Sequence, residues 1–181
     1  MPAKNVSKTN KANLGKHFED LIIAANKHYA QKKIAAIIKV PTSFKVLRRY
    51  DPRQKQSVIV GCYPEERSTV DFIGQLGSLP IAFEAKSSAN KTSFPLSNIK
   101  SHQIEWLRLV DALGGFAFIM FEIQQLRSIY RMDIKQLLQF TAENSRKSIP
   151  FSFFEEYCEK IRIEKGILHY LGGIGYEIAS I

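Results

Sequence analysis

Three ionisable residues in this chain stand at a spacing that suits phosphodiester chemistry: Asp71, Glu84 and Lys86. Asp71 sits within Val70-Asp71-Phe72, and Glu84-Ala85-Lys86 follows in an apolar context of strand type. Between them lies Gly77-Ser78, a good two-residue hairpin loop, because glycine suits the first central position of a type II′ turn. A chain folded there sets Leu76 opposite Leu79, Asp71 opposite Glu84 and Thr69 opposite Lys86. Side chains alternate faces along a strand. Thr69, Asp71, Glu84 and Lys86 are therefore expected on one face. Two carboxylates directly opposite each other repel, so something must offset that repulsion. A divalent cation does so, and hard cations such as Mg²⁺ prefer carboxylate oxygens.

Composition bounds the rest. The chain has 181 residues, which suits one domain, and 45% of them are hydrophobic, enough for a sizeable core. No apolar run approaches the roughly 20 residues of a membrane span. Residues 1–16 are polar and basic and lack the apolar centre of a signal peptide. Cys62 and Cys158 form neither a disulfide scaffold nor a zinc spacing. A reduced, cytoplasmic protein is expected, with no membrane partner. The net charge of +9 favours a polyanion, nucleic acid first.

The elements that must position the site read as follows. Residues 1–12 are expected to be a flexible basic tail, and 13–181 a single domain. A first helix is expected from about Asn13, with Leu14, Phe18, Leu21, Ile22, Ala25 and Tyr29 on its apolar stripe. A strand over Ile34–Val40 stops at Pro41. Residues 41–60 read as a β-hairpin arm whose turn at Asp51-Pro52 is surrounded by Lys45, Arg48, Arg49, Arg53 and Lys55. Tyr50 and Phe44 in this arm either stack on unpaired bases or stabilise the hairpin itself. The site hairpin covers 69–86. Pro80 within it cannot donate to a ladder, which predicts an edge position or a bulged register. Asn90–Asn98 reads as a loop and Ser101–Ala112 as a helix ended by Gly114-Gly115. The continuous apolar run Phe116–Ile123 predicts a central strand covered on both faces. Ser128–Met132 predicts a strand beside it. Asp133 caps a short helix over Ile134–Thr141, and another helix lies near Phe151–Glu159. This order predicts an α/β fold, a mixed sheet flanked by helices.

On these residues the chain resembles the PD-(D/E)xK nuclease superfamily, and within it the RecU family of Holliday-junction resolvases. The motifs that carry the closer likeness are Asn90-Lys91-Thr92-Ser93-Phe94-Pro95-Leu96 with His102-Gln103-Ile104, Lys39-Val40-Pro41-Thr42, Ser68-Thr69-Val70-Asp71-Phe72, and Lys147-Ser148-Ile149-Pro150. The likeness spans roughly residues 13 to 178. It departs at Asn13-Leu14-Gly15, where family members often read Asn-Arg-Gly.

The resemblance implies a restriction-endonuclease-like fold, with the arm at 41–60 as a stalk that reaches into the junction. It implies that Thr69, Asp71, Glu84 and Gln103 form a site for Mg²⁺, with Mn²⁺ as a substitute. Lys86 matches the catalytic lysine, and Glu19 sits where an acid of the first helix often assists. Lys91 and Lys100, with the arm's Lys45, Arg48, Arg49, Arg53 and Lys55, are expected to contact DNA phosphates. His102 is not needed by a lysine mechanism. The family acts on branched DNA as a homodimer, and recombinase or branch-migration proteins are further candidate partners. A nucleoid-associated protein is expected, or a phage-encoded one in its host's cytoplasm. Two rival readings are another endonuclease of the superfamily, of phage or restriction type, and a non-catalytic modulator that binds junctions.

Overall fold

The computed structural model describes residues 7–41, 44–64 and 69–174. Residues 1–6 of the expected tail, together with Thr42 and Ser68 of the motifs, lie outside those described. Helix α1 spans Ser7–Gln31 and leads into β1, Ala35–Lys39. The arm consists of β2, Phe44–Asp51, and β3, Gln56–Pro64. The site hairpin consists of β4, Phe72–Leu76, and β5, Leu79–Ser88. A short β6, Ser93–Pro95, precedes helix α2, Ser101–Ala112, and β7, Phe116–Ile123. The chain continues through β8, Ser128–Asp133, α3, Ile134–Glu143, β9, Ser148–Pro150, α4, Phe151–Tyr157, and β10, Glu159–Ile161.

Six strands form one sheet in the order β1-β4-β5-β7-β8-β10. β5 and β7 run parallel and the other neighbours antiparallel, so the sheet is mixed. Parallel neighbours need a crossover connection, and α2 supplies it. The apolar stripe of α1, with Phe18, Ile22, Ala25 and Tyr29, packs on one face against Phe72, Phe83, Phe118 and Met120. The other face meets α2, α3 and α4 through Leu107, Leu137, Phe140 and Phe154, which pack with Ala117, Ile119 and Phe121. Successive residues of β7 thus feed opposite layers, which is why its sequence is apolar without alternation.

The two-residue turn folds the site hairpin in the expected register, with Leu76 opposite Leu79 and Phe72 opposite Phe83. Gly77 carries φ 57°, the left-handed value that the first central position of a type II′ turn requires. Phe72, Phe83 and Phe118 are register neighbours and stack, with ring centroids 4.9 and 4.6 Å apart. Each fully buried phenylalanine contributes about 1.5–3 kcal/mol by burial. This stack also fixes which residues point to the opposite face, because a slip by one residue would invert every side chain.

Four expectations need correction. Helix α1 begins at Ser7 rather than near Asn13, so residues 7–12 are helical. Ala and Lys are good helix formers, and propensity can carry a helix past its apolar stripe. The arm reaches Pro64, beyond the expected end at Val60, and its register shifts between Leu47 and Arg48. Asn90–Asn98 is not simply a loop: β6 pairs with β9, Phe94 opposite Ile149, and a 3₁₀ turn follows at Leu96–Asn98. Pro80 lies on an interior strand in an unbroken register. It is tolerated because it stands opposite Gln75, next to the pair that closes the turn, where hydrogen-bonded and non-bonded pairs alternate. Its nitrogen therefore faces β7, whose pairing with β5 starts only at Ile81.

Candidate active site

Asp71 and Glu84 continue the register just beyond the last ladder pair, Phe72 with Phe83. Side chains replace the missing ladder there. The Asp71 backbone N–H donates to Glu84 Oε2 at 3.1 Å, and the Ala85 N–H donates to Asp71 Oδ2 at 3.0 Å. Each carboxylate thus caps the strand of the other, which pins both. Glu84 Oε1 accepts from Lys86 Nζ at 2.6 Å and from Gln103 Nε2 at 2.6 Å. Asp71, Glu84, Lys86 and Gln103 are therefore brought together, on the sheet face that carries α2.

Glu84 is 1% exposed, whereas the Lys86 side chain is 19% exposed and open to solvent. Burial and, after it, the charge of Asp71 push the Glu84 carboxyl up to about 7, and Lys86 only partly opposes them. A buried carboxylate beside another is a costly arrangement that a cation relieves. Among the described residues no three His, Cys, Asp or Glu side chains converge. Two carboxylates alone suit Mg²⁺, which keeps several waters of its own. The oxygen donors and the strained charge of Glu84 fit a hard divalent cation.

Gln103 reaches the cluster from the first turn of α2. Its Oε1 accepts the Lys100 N–H at 3.0 Å, capping the first turn of α2, and its Nε2 holds Glu84. The oxygen accepts one hydrogen bond at the helix start and keeps a second lone pair, and the amide N–H orients the carboxylate. Thr69 stands two residues before Asp71, half-buried, outside these hydrogen bonds.

Glu19 makes no hydrogen bond to the cluster among the described residues. It pairs with Lys39, and Lys39 stands opposite Phe72 on the α1 face of the sheet. Glu84 and Lys86 occupy the other face. The link between the two is the backbone, where the Val40 N–H donates to the Asp71 carbonyl at 2.8 Å. Lys39 was missed as a partner, although its place at the end of β1 beside Pro41 is visible in the sequence.

Lys45, Arg48, Arg49, Arg53 and Lys55 are all exposed along the arm. Arg48 and Arg49 are adjacent on β2 and so project to opposite faces. Lys91 and Lys100 are exposed on the segment between β5 and α2, and Lys100 Nζ donates to the Ser97 carbonyl at 3.2 Å. A second polar group went unread: Ser87 Oγ donates to Glu122 at 2.5 Å and accepts from Gln124 Nε2 at 3.2 Å. Glu122 is the one charge in the apolar run of β7, and that oddity was the available signal. No helix among the described residues is long and apolar enough to cross a membrane.

The family model of RecU, Recombination protein U, matches residues 13–175. Similar proteins include the "Holliday junction resolvase RecU" of Streptococcus mutans serotype c, 36% identical over 87% of this chain and 81% of that protein. The protein of the same description from Pediococcus pentosaceus is 35% identical over 92% of this chain and 85% of its own length. That of Geobacillus sp. strain WCH70 is 36% identical over 85% and 78%. Among solved structures, Archaeoglobus fulgidus Hjc, described as a Holliday junction resolvase, superposes with a TM-score of 0.43 and 15% identity, covering 77% of this chain and 91% of that one.

Proposed function

The chain belongs to the RecU family, and from that premise we propose that it is a divalent-cation-dependent endonuclease that resolves four-way DNA junctions. The observation that carries this reading is the cluster of Asp71, Glu84 and Lys86 at the ends of paired strands, with the Glu84 carboxyl raised to about 7.

Asp71 and Glu84 would hold the cation, Mg²⁺ or Mn²⁺, with the Gln103 side chain or the Thr69 hydroxyl completing the oxygen shell. When bound, such a cation lowers the pKa of a coordinated water and draws charge from phosphate oxygens. The protein's own residues do the rest. Lys86, fixed by Glu84 and open to solvent, donates to the oxygens of the phosphate as negative charge grows there. Gln103 locks Glu84 from the α2 side, so that the carboxylate keeps one orientation. Glu84 must lose its proton to act as a ligand, so cation binding strengthens as pH rises through about 7.

Selectivity for branched DNA follows from shape and charge rather than base contacts. The basic arm enters the open centre of a four-way junction, with Arg48 and Arg49 meeting phosphates on its two faces. Lys91 and Lys100 bind backbone beside the cluster. Two copies in a homodimer bring two clusters to two strands, which gives paired symmetric cuts. A junction substrate implies work in the cytoplasm, at the nucleoid.

The test is cleavage of an immobile four-way junction beside linear duplex of matching sequence, with and without Mg²⁺, using Glu84→Ala as control. Paired nicks in the junction alone, lost in the control, support the resolvase. Equal cutting of duplex points to a general nuclease, and tight junction binding without cleavage in either metal points to a non-catalytic modulator.

A further inference from the structure

Beyond the catalytic cluster, strands β5 and β7 end in a small polar cavity of about 380 Å³. Ser87, Ser88, Asn90, Asn98 and Gln124 line it, and Gly15 of α1 closes one side. We propose that this cavity is a nucleobase-reading subsite, which sets the sequence at which the strand is cut. The proposal rests on the junction-endonuclease reading and adds a determinant to it.

Position comes first. Glu84, Lys86 and Ser88 alternate onto one face of β5, and Ser88 lies two residues past Lys86. At about 3.3 Å of rise per residue, the cavity begins about 7 Å from the lysine. That is about two base steps along one strand of duplex DNA. A strand whose phosphate meets Lys86 therefore brings a base one or two nucleotides away to the cavity.

Chemistry comes second. The lining carries amides and hydroxyls and no charged side chain. Phosphates are bound by Lys and Arg, whereas base edges are read by Asn and Gln, which can donate and accept together. The amides are held in place. Gln124 Nε2 donates to Ser87 Oγ, which is anchored in turn on Glu122. The Asn90 backbone N–H donates to Ser88 Oγ at 3.3 Å, and Asn90 Nδ2 donates to the Ser93 carbonyl at 3.2 Å. Each side-chain amide spends one of its two N–H donors in this way, and neither amide oxygen accepts a hydrogen bond among the described residues. The Asn98 side chain has no hydrogen-bond partner among the described residues.

Gly15 is an independent observation. Glycine inside a helix costs about 0.5–1 kcal/mol relative to alanine. A Cβ built at Gly15 meets no atom within 4 Å. Packing within the protein therefore does not require this glycine, and its place on the wall of the cavity fits close approach by something outside the chain.

The experiment maps cut positions on a four-way junction whose mobile core samples many sequences, comparing the full chain with Asn98→Leu, Gln124→Leu and the double variant. The wild type is expected to concentrate its cuts at a subset of sequences. The double variant is expected to lose about tenfold of that preference, within the range of one good amide–base contact, while still cutting the junction. A variant distribution that superimposes on the wild type overturns the subsite and leaves the endonuclease reading standing, as does a wild type that cuts all sequences alike. A second measurement separates the two ideas: affinity for short single strands of each base, in the Glu84→Ala background. Base-dependent affinity lost in the double variant upholds the subsite even if no junction is cut, and base-independent affinity in both proteins overturns it.

Discussion

Two β-hairpins of the molecule, the site hairpin and the arm, differ in almost everything but their connectivity. The site hairpin, β4 with β5, turns in two residues, keeps one register and is flanked by β1 and β7. The arm, β2 with β3, turns through Pro52–Lys55, shifts register midway and forms a sheet of two strands only. The first buries Glu84 to 1% exposure, and the second leaves Tyr50 and Ile59 60% and 64% exposed. An isolated two-stranded hairpin is marginal in water, so the arm adds little to the stability of the fold. Its like charges are separated and screened by solvent. The site hairpin draws stability from neighbours on both sides and can therefore hold a carboxylate where it is least comfortable. One unit carries strained charge for chemistry, and the other carries relaxed charge for reach.

The sharpest way to break this contrast is Lys86→Ala. Cleavage is expected to fall by about 10²–10³-fold, the scale of one lost charge-stabilising donor, with junction affinity unchanged. An equal loss in affinity would make Lys86 a binding residue like those of the arm. Next comes Phe83→Ala, which removes the middle ring of the buried stack and is expected to cost about 3–5 kcal/mol in urea unfolding. Ile59→Ala in the arm should cost well under 1 kcal/mol, since Ile59 is exposed and surface changes are usually within about 0.5 kcal/mol. Comparable losses at both positions would show that the arm is packed in solution.

A third prediction uses the raised carboxyl. Glu84 binds its proton more tightly folded than unfolded, so the fold is favoured below about 4.5 and that advantage is lost as pH rises through about 7. The difference corresponds to roughly 3 kcal/mol at most. Glu84→Gln is thus expected to raise the melting temperature at pH 8 and to leave it unchanged near pH 4, while abolishing cleavage. Mg²⁺ should raise the wild-type melting temperature more at pH 8 than at pH 6. Identical pH profiles for the two proteins would remove the strained-charge account. The smallest effect belongs to the arm. Replacing Arg48 and Arg49 by alanine is expected to reduce the slope of log affinity against log salt by about 2, with no change in melting temperature or Mg²⁺ binding. Deleting residues 45–56 should abolish junction preference and likewise spare Mg²⁺ binding.

How legible each hairpin was follows from where its information lies. Gly77-Ser78 fixes the site register locally, so Asp71 opposite Glu84 could be read by counting along the chain. The arm's basic turn was equally visible, and so was the central strand Phe116–Ile123, whose bounds the structure reproduces. Pairings between distant segments were not visible. β6 and β9 are three residues each, too short for periodicity to register, and each is defined only by the other. Pro80 looked disruptive because a sequence does not show that β7 starts one residue late. The pairing of Glu19 with Lys39 was not visible because helix spacing does not say which face of the sheet a helix covers. The commitment of Gln103 Oε1 to Lys100 depends on a cap geometry that residue types alone leave open.

The pairing of β6 with β9 also bears on the order in which the protein is made. Ser93–Pro95 stands just ahead of α2, whose first turn supplies Gln103 to Glu84, and its only strand partner among the described residues is Ser148–Pro150. A ribosome therefore releases Asp71, Glu84 and Lys86 long before it releases the segment that clasps this entry to α2. Until then the buried carboxylate lacks its full frame. The frame around the start of α2 therefore closes only after Ser148–Pro150 has been synthesised.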